Sequence, residues 1–281
     1  MVVYGKKRED TLGNVEIEYN ILALTNLSAI SSEIPFNVRQ TNERNSLLFA
    51  ESATYYKYLD RPVTVIEPLN ENATSTLFFI GAFEKYVKSN FTSAINLFRS
   101  IKNYENSSSI LFYIANSYYF NNDWNISLQY FDKAIGINPQ SAEAWNNKGN
   151  SLDNLGRYEE ALAAYDKVIG INPQDSEAWY NKGVTLANIG RYEEALALFD
   201  KAIKINPQNA NFWHNKGVIL GNMDRYEDAL AAYDKVIKID PQYAEAWYNK
   251  GVTLVKLGRY EEAKIAFKNA HKLNPKFEIP S

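Results

Sequence analysis

The sequence predicts an all-α solenoid, a stack of helix-turn-helix units, and three observations carry that prediction. The first is a fixed period. Trp145, Trp179, Trp213 and Trp247 stand 34 residues apart, and Gly149, Gly183, Gly217 and Gly251 keep the same spacing. So do Tyr158, Tyr192, Tyr226 and Tyr260, then Ala161, Ala195, Ala229 and Ala263, then Pro173, Pro207, Pro241 and Pro275. The second is helical spacing inside a unit: Trp179, Gly183 and Leu186 fall at i, i+4 and i+7. The third is punctuation, with Gly190 after the first helical run and Asn206-Pro207 after the second.

The unit at 176–209 shows the local logic. Gly183 has no side chain, which leaves room for close approach of a neighbouring helix. Gly190 ends the first helix. Arg191-Tyr192-Glu193-Glu194 opens the second, with its acids at the positive end of the helix dipole. Ala195, Phe199 and Ala202, followed by Ile203 and Ile205, form the second apolar stripe. Asn206-Pro207 stops it, because a residue before proline avoids the α region. Two such helices cannot bury their apolar faces alone, so the core must come from stacking on neighbours.

A 34-residue unit with this Trp, Gly, Tyr, Ala, aromatic and Pro pattern resembles the tetratricopeptide repeat family. Four regular units span 142–175, 176–209, 210–243 and 244–277. Two divergent units precede them. Residues 108–141 keep Ala115, Tyr118, Trp124, Phe131, Ala134 and Pro139, with Leu111 in place of the Trp. Residues 75–108 keep Phe78, Ala82, Phe91, Ala94 and Phe98 and lack the closing Pro. The resemblance implies a right-handed superhelical solenoid over 74–281, with the first helices lining its concave surface. It is specific for the fold and unspecific for function.

Residues 1–73 show no period and are expected to form a helical N-terminal region on the first repeat, or else a small separate domain. Residues 14–30 read as an amphipathic helix, although "VEIEYNI" also alternates like a strand. Residues 39–60 read as a helix ended by Arg61-Pro62, followed by an extended linker.

Composition narrows the function classes. The net charge of −3 gives no basic field for nucleic acid. There are no cysteines and only two histidines, His214 and His271, so no metal or other cofactor is expected. No apolar run approaches the roughly 18 residues of a membrane span. The start "MVVYGKKRED" lacks a charged n-region followed by an apolar h-region, so it does not read as a signal peptide, which points to a cytoplasmic protein. Removal of an upstream leader is the alternative, giving an extracellular or cell-surface protein. No nucleophile–base set, phosphate loop or metal spacing occurs, so no enzyme is expected; the glutamates of "RYEEAL" read as solvated charge at a helix start.

The candidate site lies on the face opposite Trp179, Gly183 and Leu186. It runs Glu177, Asn181, Val184, Asn188 in one unit. The matching stripes are Glu143, Asn147, Asn150, Asn154; Asn211, Asn215, Val218, Asn222; and Glu245, Asn249, Val252, Lys256. Asn146, Tyr180, His214 and Tyr248 precede the leading asparagines. An amide both donates and accepts, so one Asn per unit suits an extended peptide backbone whatever its side chains. The pattern resembles the asparagine ladder in the repeats of O-linked N-acetylglucosamine transferase, which implies this role for Asn147, Asn181, Asn215 and Asn249. The ladder stops in the divergent units, where Tyr113 and Ile80 hold the matching places. The plain alternative is solvated residues copied with a duplicated unit. Glu143, Glu177 and Glu245 favour a neutral or basic partner over an acidic tail. Lys148, Lys182, Lys216 and Lys250 are expected to lie along the Trp layer.

Two further expectations concern assembly and place. In the last unit Lys264, Lys268 and His271 replace residues that are Leu, Asp and Ile in the units before it. That reads as self-capping of an exposed face, with head-to-tail self-association through the ends as the alternative. Sequons at Asn26, Asn72, Asn90, Asn106 and Asn125 fit a glycosylated surface scaffold, or simply caps and turns.

Overall fold

The computed structural model describes residues 2–9, 15–22, 37–39 and 71–278. The chain divides into two compact units, residues 1–77 and 78–281.

The described residues of the first unit that precede residue 71 form an antiparallel sheet of order β1-β2-β3: β1 is Val2–Glu9, β2 is Val15–Leu22 and β3 is Asn37–Arg39. At residues 2–9, 15–22 and 37–39 these strands stand where a helical N-terminal region over 1–73 was expected. Residues 15–22 form a strand, not part of a helix over 14–30. The period-two alternation of "VEIEYNI" wins over the helical reading because β1 supplies a partner. Their register pairs Lys6 with Glu18 and Arg8 with Glu16 along the backbone. Beyond Arg39 the helix expected over 39–60 lies outside the described residues, as do the linker at 61–70 and Asn26.

The repeat array is all α, with twelve helices among the described residues. They run α1 (Glu71–Val87), α2 (Phe91–Arg99), α3 (Ser108–Phe120), α4 (Trp124–Ile137), α5 (Ala142–Asn154), α6 (Tyr158–Ile171), α7 (Ser176–Asn188), α8 (Tyr192–Ile205), α9 (Ala210–Asn222), α10 (Tyr226–Ile239), α11 (Ala244–Lys256) and α12 (Tyr260–Leu273). From α3 onward each odd-numbered helix pairs with the even-numbered helix after it, and each pair packs on the next.

Within a pair the glycine has one job. A Cβ on Gly183 would lie 2.8 Å from the Phe199 ring, and one on Gly149 would lie 2.6 Å from the Tyr165 ring. Gly217 and Gly251 meet Tyr233 and Phe267 in the same way. The ring of the second helix therefore lies directly on the backbone of the first, and Tyr165, Phe199, Tyr233 and Phe267 are almost fully buried.

The turns are specified at both ends. The first helix of each regular unit stops at a left-handed residue, Gly156, Gly190 or Gly258, with Asp224 holding that conformation in the third unit. The second helix stops at Asn-Pro or Asp-Pro, where Asn138, Asn172 and Asp240 accept the N–H two residues on. The Trp of the next unit then donates its indole N–H to the proline carbonyl, at 2.9 Å for Trp145 to Pro139 and for Trp179 to Pro173. Trp213 and Trp247 repeat the bond to Pro207 and Pro241. The tryptophans are half-buried rather than deep in the core, because each must keep its N–H at this turn.

Candidate peptide-binding face of the first helices

First helices of successive units pack against one another: α3 on α5, α5 on α7, α7 on α9 and α9 on α11. No pair of successive second helices packs to that extent. α5, α7, α9 and α11 therefore form the layer in which successive units approach most closely, the layer the resemblance implies is concave. Side-chain caps start three of them: Ser141 on α5, Asp175 on α7 and Asn209 on α9.

The expected stripe lies on the outward side of these helices. Glu143, Glu177 and Glu245 are exposed at one end and Asn154, Asn188 and Asn222 at the other. Asn147, Asn181, Asn215 and Asn249 sit between them, half-buried. The cause of that partial burial is a set of bonds between units. Asn181 Nδ2 donates to Asn146 Oδ1 at 3.0 Å, and Asn215 Nδ2 to the Tyr180 hydroxyl at 2.8 Å. Asn249 Nδ2 lies 3.0 Å from His214 Nε2, a bond that requires Nε2 to be the unprotonated acceptor. Each amide thus reaches the residue 35 positions earlier, on the preceding first helix. Asn147 follows a variant: that earlier position is Phe112, which cannot accept, and Nδ2 donates to Asn116 Oδ1 at 2.9 Å instead.

These bonds reassign the bordering residues. Tyr180 lies against Phe212 with centroids 4.8 Å apart, and His214 lies against Tyr243 at 5.1 Å. Tyr248 packs on Phe277 at 4.8 Å. Tyr180 and His214 are orienting partners for the next amide. Burial pushes the Tyr180 hydroxyl above its usual range and pulls the His214 imidazole below its own.

What remains open on the amides is their oxygen. Oδ1 of Asn181, Asn215 and Asn249 has no hydrogen-bond partner among the described residues. No buried side-chain polar atom among them lacks a partner, so these oxygens reach solvent. Asn215 also donates to the Asn211 carbonyl, leaving only its acceptor.

The charges around the stripe are mostly internally matched. Lys148, Lys182, Lys216 and Lys250 each sit 2.5 Å from an aspartate of the preceding second helix: Asp132, Asp166, Asp200 and Asp234. Lys148, Lys216 and Lys250 also lie over Trp145, Trp213 and Trp247, as expected of lysines lying along the Trp layer. The arginine of each "RYEE" or "RYED" start pairs with the acid three residues on. Glu177 accepts from Asn209 at 3.1 Å, and partial desolvation of its carboxyl, with the nearby Asp175 charge, holds it above the usual range although the residue as a whole is exposed.

Sequence reading missed Asp153, Thr185, Asn116 and Tyr119. Thr185 Oγ1 donates to Asp153 Oδ1 at 2.8 Å, and Asn154 Nδ2 donates to the Tyr119 hydroxyl at 3.2 Å. A legible signal existed at Asp153, where other units hold Ala187, Gly221 and Val255.

Local structure accounts for parts of several sequons. Asn90 caps α2 by accepting from Ser93, and Ser107, which follows Asn106, caps α3. Ser127, the hydroxyl residue after Asn125, is fully buried against Ser151. Asn72 lies in the first turn of α1.

This architecture defines a class, the interaction solenoids built from helical hairpins. Tetratricopeptide repeat models match residues 142–175, 176–209 and 244–277, and two further models of the same repeat match 198–231 and 222–258. Residues 142–277 are therefore tetratricopeptide repeats. An uncharacterized protein of Methanocaldococcus jannaschii is 57% identical over 35 residues, 12% of this chain; the match spans 41% of that relative's length. Among solved structures, YrrB, described as a tetratricopeptide-repeat protein with an unusual peptide-binding site, is 25% identical with TM-score 0.51, covering 66% of this chain and 92% of its own. PilF of Pseudomonas aeruginosa (17% identical, TM-score 0.62, 73% of this chain and 94% of its own) is similar in fold. So is MamA of Desulfovibrio magneticus (22%, TM-score 0.55, 60% and 96%). Among the described residues, no helix is long and apolar enough to cross a membrane.

Proposed function

We propose that this protein is a non-catalytic scaffold whose first-helix face holds an extended segment of a partner protein. One observation carries the reading. Asn181, Asn215 and Asn249 are each oriented by the preceding unit through Nδ2 and keep Oδ1 open to solvent. Amides fixed in this way form a pre-organised row of acceptors for peptide N–H groups, with little ordering left to lose on binding. Packed helices stand about 8–10 Å apart, and an extended chain advances about 3.3 Å per residue. One amide therefore meets about every third peptide residue. The peptide-binding site named for YrrB supports the same use of the fold. The exposed Glu143, Glu177 and Glu245 favour a neutral or basic segment.

The test is capture from an array of extended peptides by wild type, by Asn181→Ala/Asn215→Ala, and by Tyr180→Phe. Tyr180→Phe removes an inter-repeat bond and leaves the amide in place. At about 1 kcal/mol per hydrogen bond, the double variant should lose roughly tenfold or more in affinity, while Tyr180→Phe stays within about threefold. Undiminished binding by the double variant sinks the proposal.

A further inference from the structure

We propose that Asp153 sets the specificity of this face by receiving the ammonium or guanidinium of one Lys or Arg side chain on the bound segment. The inference rests on the peptide-binding reading above. Asp153 lies in the last turn of α5, half-buried, on the same edge as Asn146 and Asn150 at i, i+4 and i+7. That edge faces the next unit. Asp153 Oδ1 accepts from Thr185 at 2.8 Å, and Oδ2 lies 3.5 Å from Asn188 Nδ2. Both oxygens are oriented by neutral groups, which place the charge without cancelling it.

Other helix-borne carboxylates of the array show the contrast. Asp132, Asp166, Asp200 and Asp234 on the second helices each have a lysine, and Glu160, Glu194, Asp228 and Glu262 at the second-helix starts each have an arginine. Asp153 has no Lys or Arg within ion-pair distance among the described residues. The basic groups closest in sequence are already committed, Lys148 to Asp132 and Arg157 to Glu160. Burial raises its carboxyl above the ordinary range, and the Thr185 hydrogen bond only partly offsets it. A carboxylate offers about four lone-pair sites, so acceptor capacity remains after Thr185 and Asn188. A cationic donor is the partner that gains most from it. The residue also breaks the 34-residue copy, since Ala187, Gly221 and Val255 hold its place elsewhere.

The experiment is a positional-scanning library of acetylated, amidated nonapeptides, each position fixed in turn as Lys, Arg, Glu or norleucine. Wild type should prefer Lys or Arg over norleucine by about tenfold at one position, the scale of a charge-assisted bond. Asp153→Asn keeps an oxygen for Thr185 and removes the charge. It should melt as wild type does, keep its neutral ligands and lose the basic preference. In wild type that preference should also fade as pH drops through the raised range of the Asp153 carboxyl, a readout that needs no variant. A preference that persists in Asp153→Asn or at low pH overturns the assignment. Binding by wild type without a basic preference overturns it and leaves the peptide-binding reading standing. No binding of any peptide overturns both.

Discussion

At Asn215 both amide protons are committed inside the protein, to Tyr180 and to the carbonyl of Asn211. The same residue type at 181 and 249 gives one proton to the preceding unit. The repeated asparagine is therefore a link between first helices before it is anything else. Neither of the two sequence readings, a free backbone clasp or a copied solvated residue, included that bond. His214 gives the link a pH dependence. Burial lowers its pKa, and the neutral ring accepts from Asn249. A group with a depressed folded pKa stabilises the fold above its unfolded value near 6.5. That contribution fades as pH falls through the lower folded value, when Nε2 gains a proton and stops accepting. Thermal melts should show it, with wild type losing midpoint temperature below about pH 6. His214→Tyr, which reproduces the Tyr180 arrangement, should lose less over that interval. Equal loss in both proteins would show that the ring at 214 does not set it.

At the scale of the helix, glycine position decides the sign of a substitution. Alanine is favoured over glycine inside a helix by about 1 kcal/mol. Gly170 has nothing within 4 Å of an added Cβ, so Gly170→Ala should stabilise by about 0.5–1 kcal/mol in urea denaturation. At Gly183 the Cβ would sit 2.8 Å from the Phe199 ring and 3.3 Å from the Ala195 carbonyl. Overpacking of this kind costs about 1–3 kcal/mol, which outweighs the helix preference, so Gly183→Ala should destabilise. Stabilisation by Gly183→Ala would mean that the ring does not lie on the helix backbone. Helix ends follow similar logic. Asp224 takes the left-handed conformation that glycine holds at 156, 190 and 258, and its carboxylate accepts from the Tyr226 hydroxyl.

Over the whole array, each unit touches only its neighbours, so coupling should be short-ranged. Gly149→Ala and Gly251→Ala lie three units apart, and their effects on unfolding free energy should add within about 0.5 kcal/mol. Gly183→Ala and Gly217→Ala disturb adjacent units that share a buried cluster containing Leu186, Phe199, Leu220 and Tyr233. Their double variant should depart from additivity. Matching behaviour in the two pairs would argue against a one-dimensional stack.

The 34-residue spacing of Trp, Gly, Tyr, Ala and Pro was enough to place the helix pairs of the regular units, their turns and their stacking. Each of those features depends on residues within one or two turns of helix, where periodicity and capping operate. The stripe bearing Asn147, Asn181, Asn215 and Asn249 was legible for the same reason. Tertiary structure decided where those side chains donate, because their partners lie 31–35 residues away on another helix. It also decided that Asp153 has no counter-charge among the described residues, and that residues 15–22 extend against 2–9 where local alternation and helical amphipathicity competed. A sequence specifies which face a residue occupies through its neighbours along the chain. Which group receives its proton, or leaves its charge unmatched, depends on what packing brings alongside.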